Sequence, residues 1–515
     1  MKRILSSIFV GTALLCVSLA AGPALAQKSA DTMRVAINDP FAVLSPYHLP
    51  QNEAGTFYNR VYESLIAYDE NKQQWVPQLA KSWQRVNPTT LDFELNEKVT
   101  FHNGNTFDAD DVVGTWTYLL DPKTKLRYKD RYDWVEKVEK LGPYKVRLTA
   151  KHPIAIDMGL IAYRYTVLDI ETMKGLEKAE DYGRLTPYGT GFYKVTQLDK
   201  NKGITVEQFD AYETNKTYAR TPTKRIHGVF LPDRQTQIAQ LLTGGVDMIT
   251  NVSQDQANDL RTKPNVAISD MPSGSYIFYA LDAGGVAGNK ALTDIRVRKA
   301  IQKSIDRDMI IKHIVPGGEI AQKLDVPCFK STIACKYSVT PEAYDPEGAK
   351  KLLAEAGYPD GFDLEYSVFA PIKDIAVALA GEMRKVGIRV SVDPIPITVY
   401  RKKQAEGQLQ SWSLFSLIGK FPDASSALGV WFQGERADYF NNDPIITKAM
   451  QDGIKELDPA KRDEIYKVAF NRMNEMAYIL PISSLPNVYA HGKDVRIMPD
   501  LLSATEQYIG DYAFK

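Results

Sequence analysis

The run Asp374-Ile375-Ala376-Val377-Ala378-Leu379-Ala380-Gly381-Glu382-Met383-Arg384-Lys385-Val386-Gly387-Ile388-Arg389-Val390-Ser391-Val392 carries two periodicities back to back. As far as Val386 its apolar residues recur at helical spacing, and beyond Gly387 they alternate strictly, the period of a half-buried strand. Gly387 stands where a helix needs a residue that tolerates a left-handed stop. A helix feeding directly into a strand predicts an α/β fold. The same grammar returns on either side. Asp233 opens a helix through Ile238, Leu241 and Leu242 that ends at Gly244-Gly245, followed by a short strand from Val246 to Ile249. Asp345-Pro346-Glu347 supplies an N-cap, a first-turn proline and a first-turn acid, and Gly357 stops the segment Gly348 to Ala356. Asp458-Pro459 repeats that start, with Ile465, Val468, Ala469 and Met476 as its apolar stripe. Asp108 or Asp110 caps a helix whose apolar face is Val112, Val113, Trp116, Leu119 and Leu120. Loops near residues 184–191, 272–288 and 481–487 are rich in Pro and Gly and are the expected domain crossings.

The whole chain has 515 residues, 44% apolar and 24% charged, with 63 basic and 63 acidic side chains. That composition excludes disorder, collagen-like repeats and an electrostatic nucleic-acid binder. Met1-Lys2-Arg3, the mostly apolar stretch Ile4 to Val17, and Ala24-Leu25-Ala26 read as a cleaved signal peptide over residues 1–26. A lipoprotein modified at Cys16 ranks second, because Ala13-Leu14-Leu15 lacks the small residues expected before a lipidated cysteine. The mature chain then starts at Gln27, carries 61 basic against 63 acidic side chains, and inserts no segment of its own into a membrane. Two cysteines remain, Cys328 and Cys335. On an export route they point to a disulfide that stiffens a surface loop, worth about 2 to 3 kcal/mol.

Catalytic and cofactor signatures are missing from the linear sequence. His48, His102, His152, His227, His313 and His491 are far apart, so no helical metal-ligand pair exists and neither metal nor cofactor is expected. There is no G-x-S-x-G elbow and no phosphate loop ending in Gly-Lys-Ser or Gly-Lys-Thr. Gly189 and Gly191 suit a tight turn before a strand, and Arg298 and Asp306 suit local pairing or capping.

A series of ordered short motifs adds a family likeness. They are Tyr62-Glu63-Ser64-Leu65, Pro77 to Trp83, Phe101-His102-Asn103-Gly104 with Asp110 to Val113, Gly189 to Tyr193, Leu241 to Asp247, Val297 to Ile301 with Ile305 to Arg307, and Ala349 to Pro359. In these the chain resembles the family 5 extracellular solute-binding proteins, the oligopeptide, dipeptide and nickel receptors of bacterial ABC importers, over nearly all of residues 31–515. The resemblance implies an α/β fold like class II periplasmic binding proteins: two lobes with mixed sheets and an extra domain inserted in the N-terminal lobe. Domain I would span residues 27–60, 186–275 and 486–515, domain II 61–185, and domain III 276–485. It further implies a periplasmic monomer that closes over a small solute by hinge bending and delivers it to permease subunits at the inner membrane. A secreted hydrolase or lyase on a related scaffold, and a receptor for a sensor or chemotaxis protein, are the alternatives.

The resemblance also bears on the ligand. Peptide-binding members hold the peptide's α-amino group with an aspartate, and in Ser411-Trp412-Ser413-Leu414-Phe415-Ser416-Leu417-Ile418-Gly419-Lys420-Phe421-Pro422-Asp423 the corresponding place falls on Lys420. Lysine donates and cannot accept, so an ammonium site becomes an anion site. Asp423, three residues on, supplies the acid if the register slips. The expected ligand is a modified amino acid, an opine-like conjugate or an acidic sugar derivative. Tyr47, His48, Tyr276, Phe278, Trp412 and Trp431 are the aromatic candidates for stacking on it.

Overall fold

The computed structural model describes residues 31–38, 42–48, 54–126, 129–213, 223–417, 421–500, 502–503 and 508–515. The expected signal peptide and Lys420 lie outside them. The helix of the opening stretch runs Lys373–Lys385 and the strand Arg389–Ile395, with Gly387 at φ +97° between them. That strand lies parallel to Asp363–Phe369, Leu364 facing Val390 and Tyr366 facing Val392.

Two mixed sheets form the body of the molecule. A seven-stranded sheet is ordered Val266–Met271, Asn487–Gly492, Met248–Ile249, Thr32–Ile37, Arg225–Phe230, Gly203–Gln208, Tyr193–Asp199. A six-stranded sheet is built around Ser275–Leu281, which pairs with Ser411–Ser413, Phe415–Leu417 and Ile479–Ser484. This central strand is buried at every position. Tyr276, Phe278 and Ala280 face one core and Ile277, Tyr279 and Leu281 another, which is why it reads as a continuous run without alternation. A smaller antiparallel sheet of Ala80–Asn87, Thr90–Leu95, Lys145–Ala150 and Val135–Gly142 is attached to the first lobe and shares its core.

Caps and stops fall where local chemistry requires. Asp108 caps the Ala109–Leu120 helix, and Asp111 returns the bond to the Asp108 amide, completing a capping box. Asp345 and Asp458 cap the Pro346–Glu355 and Pro459–Glu475 helices ahead of their first-turn prolines. Asp306 caps Arg307–His313, while the buried Arg298 donates to the carbonyls of Leu292, Thr293 and Met476.

Three expectations need correction. The buried face of Pro459–Glu475 is Arg462, Tyr466, Ala469, Phe470 and Met473, and Val468 is 51% exposed. The larger aromatic rings win the core side: a Cβ on Gly453 would stand 2.5 Å from Tyr466. The strand after Gly244-Gly245 shrinks to Met248–Ile249, because the Gly245 and Val246 amides both turn back to the Gln240 carbonyl. Cys328 and Cys335 are joined as expected, but both are buried in the second-lobe core instead of bracing a surface loop. Removing the bridge (Cys328→Ser with Cys335→Ser) is expected to lower stability by about 2 to 3 kcal/mol, read as a lower urea midpoint.

The two large sheets are joined at two places side by side, residues 272–274 and 485–486. Ser273 Oγ donates to the Leu485 carbonyl (2.5 Å), and the Leu485 amide donates to the Ser275 carbonyl (2.9 Å). Two short, hydrogen-bonded crossings between rigid sheets have the form of a hinge.

Candidate ligand site at the seam between the lobes

Several motif residues are spent on holding the first lobe together. A Cβ on Gly189 would stand 2.0 Å from the Val61 carbonyl oxygen, and one on Gly191 2.3 Å from that of Arg60, so this turn admits only glycine. Glu63 accepts from the Thr190 hydroxyl (2.9 Å) and the Tyr212 hydroxyl (2.8 Å). His102 spans the turn: its Nδ1 accepts from the Gly189 amide (3.2 Å), which leaves Nε2 to donate to the Gly191 carbonyl (2.7 Å). Burial pushes the His102 pKa down to about 4. A neutral ring with both nitrogens engaged is a fastener.

The seam is formed by residues 421–424 and the Pro444–Lys455 helix of the second lobe facing the Asp157–Arg164 helix and the Ile66–Asp69 strand of the first. Phe421 is only 7% exposed, because its ring lies over Gly159, edge-on to Tyr163 (6.3 Å between centroids, 81°), with the Arg164 guanidinium 5.8 Å away. The Ala155 amide donates to the Ile454 carbonyl (2.7 Å), and the Ile454 side chain packs on the first-lobe core. Tyr68, whose ring meets Trp75 at 4.6 Å with the planes inclined at 55°, has its pKa raised to about 12 by burial and then by the charges of Glu70, Asp423 and Asp69, the second of these from the opposite lobe.

Residues 421–424 are clamped from behind. Asp423 is buried and receives both guanidinium nitrogens of Arg462 at 3.0 Å, the Ser425 amide at 2.9 Å and the Ser425 hydroxyl at 2.6 Å. It thereby caps the Ala424–Gly429 helix as well as pairing Arg462. On the other flank Ile333, inside the disulfide loop, donates its amide to the Pro422 carbonyl (2.8 Å) and accepts from the Ala424 amide (2.9 Å).

The residues expected from sequence fall into separate places. Tyr276, Phe278, Trp412 and Trp431 are each no more than 1% exposed in a single second-lobe core cluster. Phe278 meets Trp431 at 4.3 Å, and Trp412 lies against Tyr439 and Phe440. Tyr47 lies in the first-lobe core, accepting from the Thr166 amide (2.9 Å) and donating to the Thr166 carbonyl. His48 is half-buried, with Nε2 2.9 Å from the Tyr118 hydroxyl. Of the expected set, Asp423 stands beside the seam. Gly159, Tyr163, Arg164 and Phe421 were not anticipated; the one signal was a glycine inside a helical segment, which implies a close approach. Among the described residues no group of three His, Cys, Asp or Glu is placed to hold a metal.

Residues 74–439, more than half of the chain, match the model of the bacterial extracellular solute-binding proteins, family 5 (middle). The chain belongs to this family. Curated family 5 relatives include the heme-binding protein A of Haemophilus influenzae, 25% identical over 83% of each chain. Another is the glutathione-binding protein GsiB of Escherichia coli, 25% identical over 90% of this chain and 92% of that one. Among solved structures, NikA from Brucella suis in complex with Fe(III)-EDTA superposes with a TM-score of 0.81 at 21% identity, covering 94% of this chain and all of the other. Two lobes with mixed sheets are thus the family 5 fold, and in this chain the two side-by-side crossings join the two large sheets. No helix among the described residues is long and apolar enough to cross a membrane.

Proposed function

We propose that this solute-binding protein captures a small solute bearing at least one carboxylate or phosphate in the seam between its lobes and closes on it by bending at the paired crossings. It releases the solute chemically unchanged to ABC permease subunits at the inner membrane. Export through a signal peptide over residues 1–26, a monomeric state and the interleaved domain division 27–60, 186–275 and 486–515, then 61–185, then 276–485, are parts of this reading. Strand membership in the three sheets supports that division.

The observation that carries the ligand class is the engagement of Asp423. In the alternative register this residue would hold a peptide's ammonium group, but its carboxylate already takes Arg462 and the N-terminus of a helix. Lys420 then remains the charged residue of this segment for the solute, and Arg164 beside Phe421 adds a second cation at the seam. The ligands named for the three similar proteins, heme, glutathione and Fe(III)-EDTA, are all polycarboxylates. The buried aromatics of the second lobe, Tyr276, Phe278, Trp412 and Trp431, form the wall behind the segment, and Tyr47 and His48 brace the first lobe.

A thermal-shift screen across dipeptides, glutathione, opines and sugar acids tests the class, since a bound solute stabilises by mass action. Stabilisation by an anionic conjugate is expected, and Lys420→Asp should weaken that binding by about 10- to 100-fold, the worth of one charge-assisted hydrogen bond. A solute held equally well by Lys420→Asp, or stabilisation confined to neutral and cationic peptides, contradicts the anion site.

A further inference from the structure

Gly159 sits inside the Asp157–Arg164 helix, where glycine costs about 1 kcal/mol against alanine. No turn or left-handed backbone at this position calls for it; the space above it does. A Cβ built on Gly159 would lie 2.5 Å from Phe421 Cε2, 3.2 Å from Cζ and 3.5 Å from Cδ2. The ring therefore occupies the volume that any other side chain would fill, with Tyr163 at its edge and Arg164 alongside. The partner that fills this slot comes from the other lobe, and its backbone is fixed by the Ile333 clasp and the Asp423 to Arg462 pair.

We propose that Gly159 and Phe421 form a ring-in-slot latch that positions the two lobes in their closed arrangement. This rests on the reading that closure captures the solute, but it concerns contact between the lobes and is measurable without one.

The test is a bump and its matching hole in the full-length mature chain, read by hydrogen exchange at the Ala155 amide, which is bonded to Ile454 across the seam. The second readout is the distance between spin labels on exposed positions Lys137 and Lys402, one in each lobe. Gly159→Ala favours the helix itself, so the fold is retained. It should nevertheless raise Ala155 exchange at least tenfold and lengthen the distance between the labels. Adding Phe421→Leu, which removes the ring atom that meets the new methyl, should return both readouts most of the way to wild type. Unchanged Ala155 protection in Gly159→Ala, or a loss that Phe421→Leu does not repair, overturns the latch. A latch that behaves as expected in a protein that binds no anionic solute would instead sink the ligand reading alone.

Discussion

Asp423→Asn is expected to lower folding stability by about 3 to 5 kcal/mol, read as a drop in the urea midpoint with little change in slope. The side chains of Asp423 and Arg462 are each only 4% exposed, so removing the carboxylate charge leaves a guanidinium stranded away from water. The burial that makes the pair costly to break also makes it replaceable. Asp423→Asn combined with Arg462→Met should recover most of the loss, because an apolar side chain of similar length needs no counter-charge. If the single variant lost under 1 kcal/mol, residues 421–424 would not be fixed by this pair. If the double variant fell as far as the sum of two single losses, the cost would lie in packing and not in the unpaired charge.

The second large effect is a pH dependence centred on His102. Its folded-state pKa is about 4, whereas an unperturbed histidine in the unfolded chain titrates near 6.5. Between these values the unfolded chain binds more protons, so stability rises with pH across the window. The contribution is complete above about pH 6.5 and lost as pH falls toward 4, amounting to roughly 3 kcal/mol. Burial lowers the pKa of His48, His227 and His491 too, and these act in the same direction. Subtracting the curve of His102→Gln from that of the wild type removes the shared part. The difference should move by about 3 kcal/mol between pH 6.5 and 4. A difference that stays flat over this range would mean that the ring is not held neutral between Gly189 and Gly191.

Most of the local grammar was readable because it rests on short-range chemistry. The Asp-Pro starts at Asp345 and Asp458, the Gly387 stop and the alternation from Ile388 onward each involve residues within one or two turns of one another. The family motifs were recognisable as sequence, but their meaning depended on distant partners. Nothing within Phe101 to Gly104 says that His102 bridges a turn 87 residues further on. Glu63 likewise finds Thr190 only in the fold. The seam was the hardest part to foresee. Its members come from the Ile66–Asp69 strand, the Asp157–Arg164 helix and residues 421–424, and linear pattern does not encode which lobe faces which. Aromatic residues misled for a related reason: Trp412 and Trp431 carry as much apolar surface into a core as onto a ligand, and the second-lobe core holds both.

The measurement that bears most directly on capture by closure is an add-back experiment. Small molecules retained by the purified protein are released by mild denaturation and returned to stripped, refolded protein while the separation of labels on the two lobes is followed. The account predicts that the labels move together, and that the compound recovered afterwards has the mass it had when added. Labels that hold their separation while the compound binds, or a recovered compound of altered mass, would contradict it.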